Sequence, residues 1–155
     1  MSRKPDLSGG QDAATAVAAG KCDLYFFVEG SDEIGKLAFE RAWACRFAWT
    51  DCVPYRDALF SFLLEVRESD WPEQMDSWVY LHSRKEQWFF DAKKKAKHFV
   101  VSGNDIYHEF LAEGFTESYF SKGSAEYQCA ALLLGVSPNP PLNTDAPPDG
   151  GAPVS

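Results

Sequence analysis

The chain has 155 residues, and its 15 basic and 23 acidic residues give a net charge of −8. Its 23 aromatic residues all lie between Tyr25 and Tyr127, and this apolar content excludes a disordered polypeptide. The acidic balance disfavours binding to nucleic acid through bulk charge. No apolar run approaches the length of about 18 residues that a membrane-spanning helix needs.

The composition divides the chain into three parts. Residues 1–20 are polar and poor in large side chains, which predicts a flexible N-terminal segment. Residues 136–155 hold six of the nine prolines and no aromatic residue, which predicts a disordered tail rich in Pro and Gly. Residues 21–135 remain as one globular domain, a length typical of a single folding unit.

The first half of the domain carries start signals and apolar spacings typical of helices. Residues 22–29 are a short apolar run that fits either a buried strand or the end of a helix. Ser31 is a suitable N-cap, and Asp32 and Glu33 suit the positive end of a helix dipole. A stripe at helical spacing then continues to residue 49 and predicts one long helix: Ile34, Leu37, Ala38, Ala42, Cys45 and Trp49.

The second half of the domain also carries apolar spacings typical of helices, and one of its segments has an alternative interpretation. The apolar stripe from Ala58 to Val66 predicts a helix, and residues 72–100 predict another that would be unusually long. Residues 78–90 alternatively form a β-hairpin with a four-residue loop. Helices are also predicted over 105–112 and over 125–134, the latter with Ser124 as N-cap and Gly135 as its end.

The predicted fold class is therefore mainly α, a single compact helical domain. The alternative is an α+β domain with a small antiparallel sheet that includes the 78–90 hairpin.

An acidic ladder is the most distinctive pattern of charge. Four carboxylates recur every four residues and would lie along one edge of a helix: Asp105, Glu109, Glu113 and Glu117. Like charges at this spacing destabilise a helix by about 0.2–0.5 kcal/mol per pair. The ladder is either a solvated face, a partner for basic residues of this chain, or a surface that attracts a cationic protein. A compact basic run follows the hairpin candidate: Lys93, Lys94, Lys95 and Lys97.

The aromatic residues exceed what one small core packs easily, so some of them should reach the surface. Exposed tryptophans near charged residues are typical of protein–protein contacts. Some of the five tryptophans are expected at the surface: Trp43, Trp49, Trp71, Trp78 and Trp88. The candidates for the contact surface itself are Trp71, Trp78 and Trp88.

Motifs of known catalytic chemistry are absent from the sequence. It contains no GxSxG, no GxGxxG, no P-loop and no HExxH. A metal site built from His82, His108 and Glu109 would need tertiary folding to assemble and is not favoured, so no cofactor is predicted. The four cysteines show no CxxC spacing and are interpreted as small buried side chains in a reducing compartment: Cys22, Cys45, Cys52 and Cys129.

These observations predict an acidic cytoplasmic protein-binding module that acts as an adaptor, regulator or inhibitor. Its partner would be another protein or protein complex, with no direct nucleic acid and no membrane involved. One alternative is a small enzyme or ligand-binding domain with an aromatic-lined pocket and a histidine, His82 or His108, as acid–base group. Another is a structural subunit of an assembly. The sequence leaves the oligomeric state and any catalytic activity open.

Overall fold

The computed structural model describes residues 13–18, 21–49, 63–74, 94–102 and 106–137. Of these residues, 56% are in strands and 17% are helical. The strands in chain order are β1 (Ala14–Ala18), β2 (Lys21–Phe27), β3 (Ile34–Glu40), β4 (Ala44–Trp49), β5 (Leu63–Val66), β6 (Lys97–Ser102), β7 (Ile106–Ala112) and β8 (Gly114–Phe120). A helix, α1 (Ala125–Leu133), follows β8.

The strands form two antiparallel sheets of four strands each. The first sheet has the order β1-β2-β3-β8, and the second has the order β4-β7-β6-β5. Each neighbouring pair is antiparallel, so side chains directly opposite one another lie on the same face of their sheet. The register therefore determines which residues face the core.

A bent two-stranded ribbon joins the two sheets. The pairing of β3 with β8 ends at Glu40 and Gly114, and the pairing of β4 with β7 begins at Ala44 and Leu111. Two backbone hydrogen bonds hold the bend: Trp43 N–H donates to the Leu111 carbonyl at 2.8 Å, and Glu113 N–H donates to the Glu40 carbonyl at 3.0 Å. Both long strands thus contribute to both sheets.

The main core lies between the facing surfaces of the sheets. The ring of Phe39 stacks on that of Phe110, with 3.8 Å between ring centroids and an angle of 14° between ring planes. These two residues come from different sheets, so the stack connects them directly. The buried cluster contains Cys22, Leu24, Phe26, Val28, Leu37, Phe39, Phe99, Val101, Phe110 and Ala112.

Helix α1 covers the opposite face of the first sheet. Ala130, Ala131 and Leu134 pack on Ile34 of β3, next to the alternate residues of β2 that point away from the main core. Ser124 accepts a hydrogen bond from Tyr127 N–H at 3.0 Å and caps the helix. Gly135 ends it at a positive φ of 75°, a conformation that glycine adopts without strain. The predicted helix, with its cap and its end, is confirmed here.

The predicted mainly α fold class is wrong, and so is the description of the protein as helical. The structure is mainly β, and the α+β alternative agrees with it only in part. Residues 34–49 form β3 and β4, residues 63–66 form β5, residues 97–100 belong to β6, and residues 106–112 form β7. The hairpin candidate at 78–90 lies outside the described residues.

The structure also adds a strand near the N-terminus. The sequence assigns residues 1–20 to a flexible segment, whereas Ala14–Ala18 pair with β2 over their whole length. At the other end, the described part of the chain stops at residue 137, so most of the predicted tail at 136–155 lies outside it.

Gly35 provides a test of the packing in the first sheet. A Cβ atom at this position would collide with the ring of Phe26, which is itself buried. We expect Gly35→Ala to lower the free energy of unfolding by about 1–3 kcal/mol through overpacking, measured by urea denaturation. Gly114→Ala is the matched control, because its Cβ would meet only the Glu40 carboxylate at 3.9 Å. Equal stability of the two variants would contradict this packing.

Candidate functional site

Strand β7 carries polar side chains on both of its faces. His108 lies on the face that points to the main core, beside Phe110, whereas Glu109 lies on the outer face. Both side chains are buried, His108 to 6% and Glu109 to 2% exposure. Burying a polar group costs free energy unless hydrogen bonds satisfy it. The hydrogen-bond partners of these two side chains therefore matter for the stability of the fold.

On the inner face, His108 is held by a residue of the other sheet. The Thr15 hydroxyl of β1 lies 2.8 Å from His108 Nδ1 and connects the two sheets. The cross-strand neighbour of His108 on β4 is Phe47. Within the described residues, β1 and β4 are edge strands of their sheets.

We give the name β1–β4 opening to a set of side chains on or next to these two edge strands: Thr15, Val17, Cys45, Phe47, Trp49 and His108. The register places all of them on the inward-facing surfaces of the sheets. Three of its apolar members are nevertheless exposed: Val17 to 62%, Phe47 to 76% and Trp49 to 64%. The opening therefore presents apolar surface to solvent beside a buried histidine.

Two cysteines are neighbours on the inward-facing surfaces of the sheets. Cys22 is buried and Cys45 is exposed, and Cys45 contributes to the pKa of the Cys22 thiol. Burial, together with the neighbouring Cys45 and Asp23, raises the pKa of Cys22 to about 12. Cys22 is consequently a thiol at neutral pH. The prediction of buried cysteines fits Cys22 but not Cys45 or Cys129, and Cys52 lies outside the described residues.

On the outer face of the second sheet, Glu109 is the centre of a set of contacting side chains that we name the Glu109 network: Arg46, Ser69, Trp71, His98 and Glu109. Arg46 Nη2 donates to Glu109 Oε2 at 2.8 Å, and His98 Nε2 lies 2.8 Å from the same oxygen. His98 Nδ1 lies 2.7 Å from the Ser69 hydroxyl. A continuous chain of contacts thus links a serine, a histidine, a carboxylate and a guanidinium.

Trp71 packs over this network. Its ring meets that of His98 edge-on at 4.9 Å between centroids, and the Arg46 guanidinium lies 4.2 Å from its ring centroid. The Trp71 N–H donates to the Ser69 hydroxyl at 3.1 Å and begins the helical turn at residues 71–74. The turn and the tryptophan together hold the serine against His98.

The charge of Glu109 follows from these contacts. Burial acts to raise the pKa of its carboxyl, but the hydrogen bonds from His98 and Arg46 and the charge of Arg46 outweigh it, so the net shift is downward. Glu109 is therefore ionised at neutral pH. An ionised carboxylate accepts hydrogen bonds only, so His98 carries a proton on Nε2.

A separate cavity of about 300 Å³ lies between α1 and the first sheet, lined by Tyr25, Lys36, Phe120, Ala125, Glu126, Cys129 and Ala130. The Lys36 ammonium forms an ion pair with Asp23 at 2.7 Å. Its cationic group thus already has an anionic partner.

The acidic ladder predicted along a helix edge does not exist in that form. Glu109 is buried in β7, and Glu113, at the bend, pairs with Arg41 at 3.2 Å. Glu117 lies in β8 and accepts a hydrogen bond from the Tyr119 hydroxyl at 2.9 Å. Asp105 lies outside the described residues. The structure distributes these carboxylates among separate partners and does not place them on one helical edge.

The other predicted binding residues are also separated. Trp71 is 5% exposed, so it belongs to the interior and not to a contact surface. Lys94 and Lys95 are exposed, and Lys97 pairs with Glu65 at 3.1 Å. Trp78, Trp88, Lys93 and His82 lie outside the described residues.

Sequence reasoning missed Ser69, His98 and Phe47 as site residues, whereas Trp49 is one of the tryptophans predicted as candidates for the surface and is 64% exposed. His98 is 1% exposed although it follows a run of lysines. The available signal was the continuous apolar run Phe99-Val100-Val101, which is typical of a strand buried on both faces. The contact between Ser69 and His98 spans 29 positions of sequence and leaves no local pattern.

The described residues contain no cluster of three or more His, Cys, Asp or Glu side chains able to hold a metal ion. In the same part of the chain, no helix combines the length and the apolar character needed to cross a membrane. Comparisons with protein families, with curated proteins and with solved structures found no match to this chain.

The lowered pKa of Glu109 predicts how stability depends on pH. The charged form is favoured in the folded state, so its stabilising contribution is complete above the ordinary value of 4.5 and is lost as the pH falls through the lower folded-state value. We expect Glu109→Gln to lower the free energy of unfolding at pH 7 by about 2–3 kcal/mol. The variant should also lose less stability than the parent protein between about pH 6 and pH 3.

Glu65→Gln is the matched control for this measurement. It removes an ion pair whose side chains are 46% and 49% exposed, which contributes less than about 1 kcal/mol. Denaturant unfolding across the pH range measures both variants. Parallel pH profiles for Glu109→Gln and the parent protein would contradict the assignment.

Proposed function

We propose that the protein is a small-ligand-binding domain whose ligand enters the β1–β4 opening. The observation that carries the proposal is the exposure of Phe47 and Trp49, 76% and 64%, on the strand face that otherwise belongs to the main core. Apolar surface of this kind has a free-energy cost in water of about 25 cal/mol per Å². A ligand that covers both rings recovers that cost.

The side chains of the opening indicate the class of ligand that fits it. Val17, Phe47 and Trp49 supply an apolar and partly aromatic surface, whereas Thr15 and His108 supply hydrogen-bonding groups behind it. Binding sites for small molecules typically combine mostly apolar walls with a few oriented polar groups. The expected ligand is a small, mainly apolar molecule with one hydrogen-bonding group.

His108 is the group of the opening that can exchange a hydrogen bond or a proton with such a ligand. Its contact with Thr15 orients the imidazole, because the ring nitrogens lie on opposite sides and one of them is held by β1. Phe47 lies directly across the strand pair from it. An apolar group against Phe47 would therefore bring an attached polar group toward the histidine.

A protein partner remains the second candidate function. It is supported by the position of β4, which is an edge strand of the second sheet among the described residues and carries two exposed aromatic rings. Edge strands with exposed apolar residues are common places for pairing with another chain. The carboxylate ladder no longer supports this candidate, because Glu109 is buried.

The ligand-binding proposal predicts saturable binding of a neutral apolar fluorophore, N-phenyl-1-naphthylamine, with one molecule bound per chain. The double variant Phe47→Ser/Trp49→Ser should raise the Kd about tenfold or more, because burial of even one such ring stabilises by about 1.5–3 kcal/mol. Fluorescence titration and native mass spectrometry measure affinity and stoichiometry.

The double variant Leu132→Ser/Leu133→Ser is the matched control. These residues are exposed to 64% and 51% and lie on α1, away from the opening. The control should leave the Kd unchanged. Equal weakening in both double variants, or binding that does not saturate, would contradict the proposal, and a dimer seen in native mass spectra of the apo-protein would favour the second candidate.

A further inference from the structure

We propose that Ser69, His98 and Glu109 form a nucleophilic relay able to accept an acyl group from a small carboxylic ester. The relay lies on the outer face of the second sheet, whereas the β1–β4 opening uses the inner face. It is therefore independent of the proposed ligand-binding function. A serine, a base within hydrogen-bond reach and a third group that orients the base are the arrangement by which enzymes activate a hydroxyl.

The hydrogen bonds fix the direction of the relay. Glu109 accepts from His98 Nε2, so the neutral imidazole has its lone pair on Nδ1. The Ser69 hydroxyl, 2.7 Å from Nδ1, is then the donor. This is the polarity that removal of the serine proton requires. The two ring nitrogens are used in the order opposite to that of the familiar serine hydrolases, but the roles are the same.

The surroundings keep this arrangement in place. His98 and Glu109 are 1% and 2% exposed, which strengthens their interaction because water is excluded. The second partner of Glu109 Oε2, Arg46, keeps the carboxylate charged. An ionised carboxylate next to the histidine stabilises the imidazolium that forms when His98 takes the serine proton. Glu109 and Arg46 are positioning residues in this scheme.

Ser69 is the partly exposed member of the relay and precedes the helical turn at residues 71–74. A hydroxyl has one donor and two acceptor lone pairs. The donor is used on His98 and one lone pair accepts the Trp71 N–H. Among the described residues, the second lone pair has no donor, so it is available for attack.

The reaction can be written with every atom accounted for. Ser69 Oγ attacks the ester carbonyl carbon and its proton moves to His98 Nδ1. The bond from that carbon to the alcohol oxygen breaks, and the departing alcohol takes the proton back from His98. An acyl ester on Ser69 results. Water then repeats the sequence, releasing a carboxylic acid and restoring the serine.

Covalent labelling with a fluorophosphonate tests the proposal, because this reagent phosphonylates activated serines and releases fluoride. We expect intact-protein mass spectrometry to show one adduct per chain, with peptide mapping to Ser69. Ser69→Ala should show no adduct, and His98→Gln should slow labelling by about a hundredfold or more, the scale of a lost general base. With p-nitrophenyl acetate, the parent protein should show a burst of about one equivalent of p-nitrophenol.

Ser31→Ala is the matched control, since Ser31 lies in an exposed turn and its hydroxyl contacts Glu33 and no histidine. It should label like the parent protein. Near-UV circular dichroism checks that each variant is folded. Absence of an adduct on the unmodified protein, or an adduct that Ser69→Ala retains, overturns the proposal and shows the network to be a structural connection between the turn and the sheet.

Discussion

The bent ribbon of β3–β4 and β8–β7 is the constraint on which the rest of the structure depends. Because both long strands pass from one sheet to the other, the bend at residues 41–43 and 113 brings the two sheets over one core. The stack of Phe39 on Phe110 joins the two sheets across that core. Beyond the bend, β4 is an edge strand among the described residues, and its Phe47 and Trp49 are exposed.

How much of this fold the sequence predicts depends on how local each signal is. Helix α1 was predicted correctly because its information is local: Ser124 caps it and Gly135 ends it. The strands were assigned to helices because residues four apart share a face in a strand as well as in a helix. The four-residue spacing of Glu109, Glu113 and Glu117 is compatible with a strand and with a helix. Only the pairing of strands that are distant in sequence distinguishes the two structures.

The residues of the candidate sites also differ in whether local sequence or long-range contacts identify them. The sequence selects His108 as a candidate acid–base group and Glu109 through the four-residue spacing of its carboxylates, so both residues are found but in other surroundings. Their partners could not be selected in this way, since Thr15 is 93 positions from His108 and Arg46 is 63 positions from Glu109. Such contacts exist only after the sheets have folded together. Phe47 is likewise exposed on the strand face that carries the main core, a property of the assembled sheets that no local pattern records.

The alternation of side chains along β7 has a genetic consequence. His108 and Glu109 are adjacent in sequence but serve opposite faces of one sheet, and a shift of one residue in strand register exchanges those faces. A single-codon insertion or deletion early in β7 would therefore turn the histidine toward Arg46 and the carboxylate toward the core at once. A substitution in this strand alters one side chain, whereas a change of one residue in its length exchanges the faces of every side chain that follows.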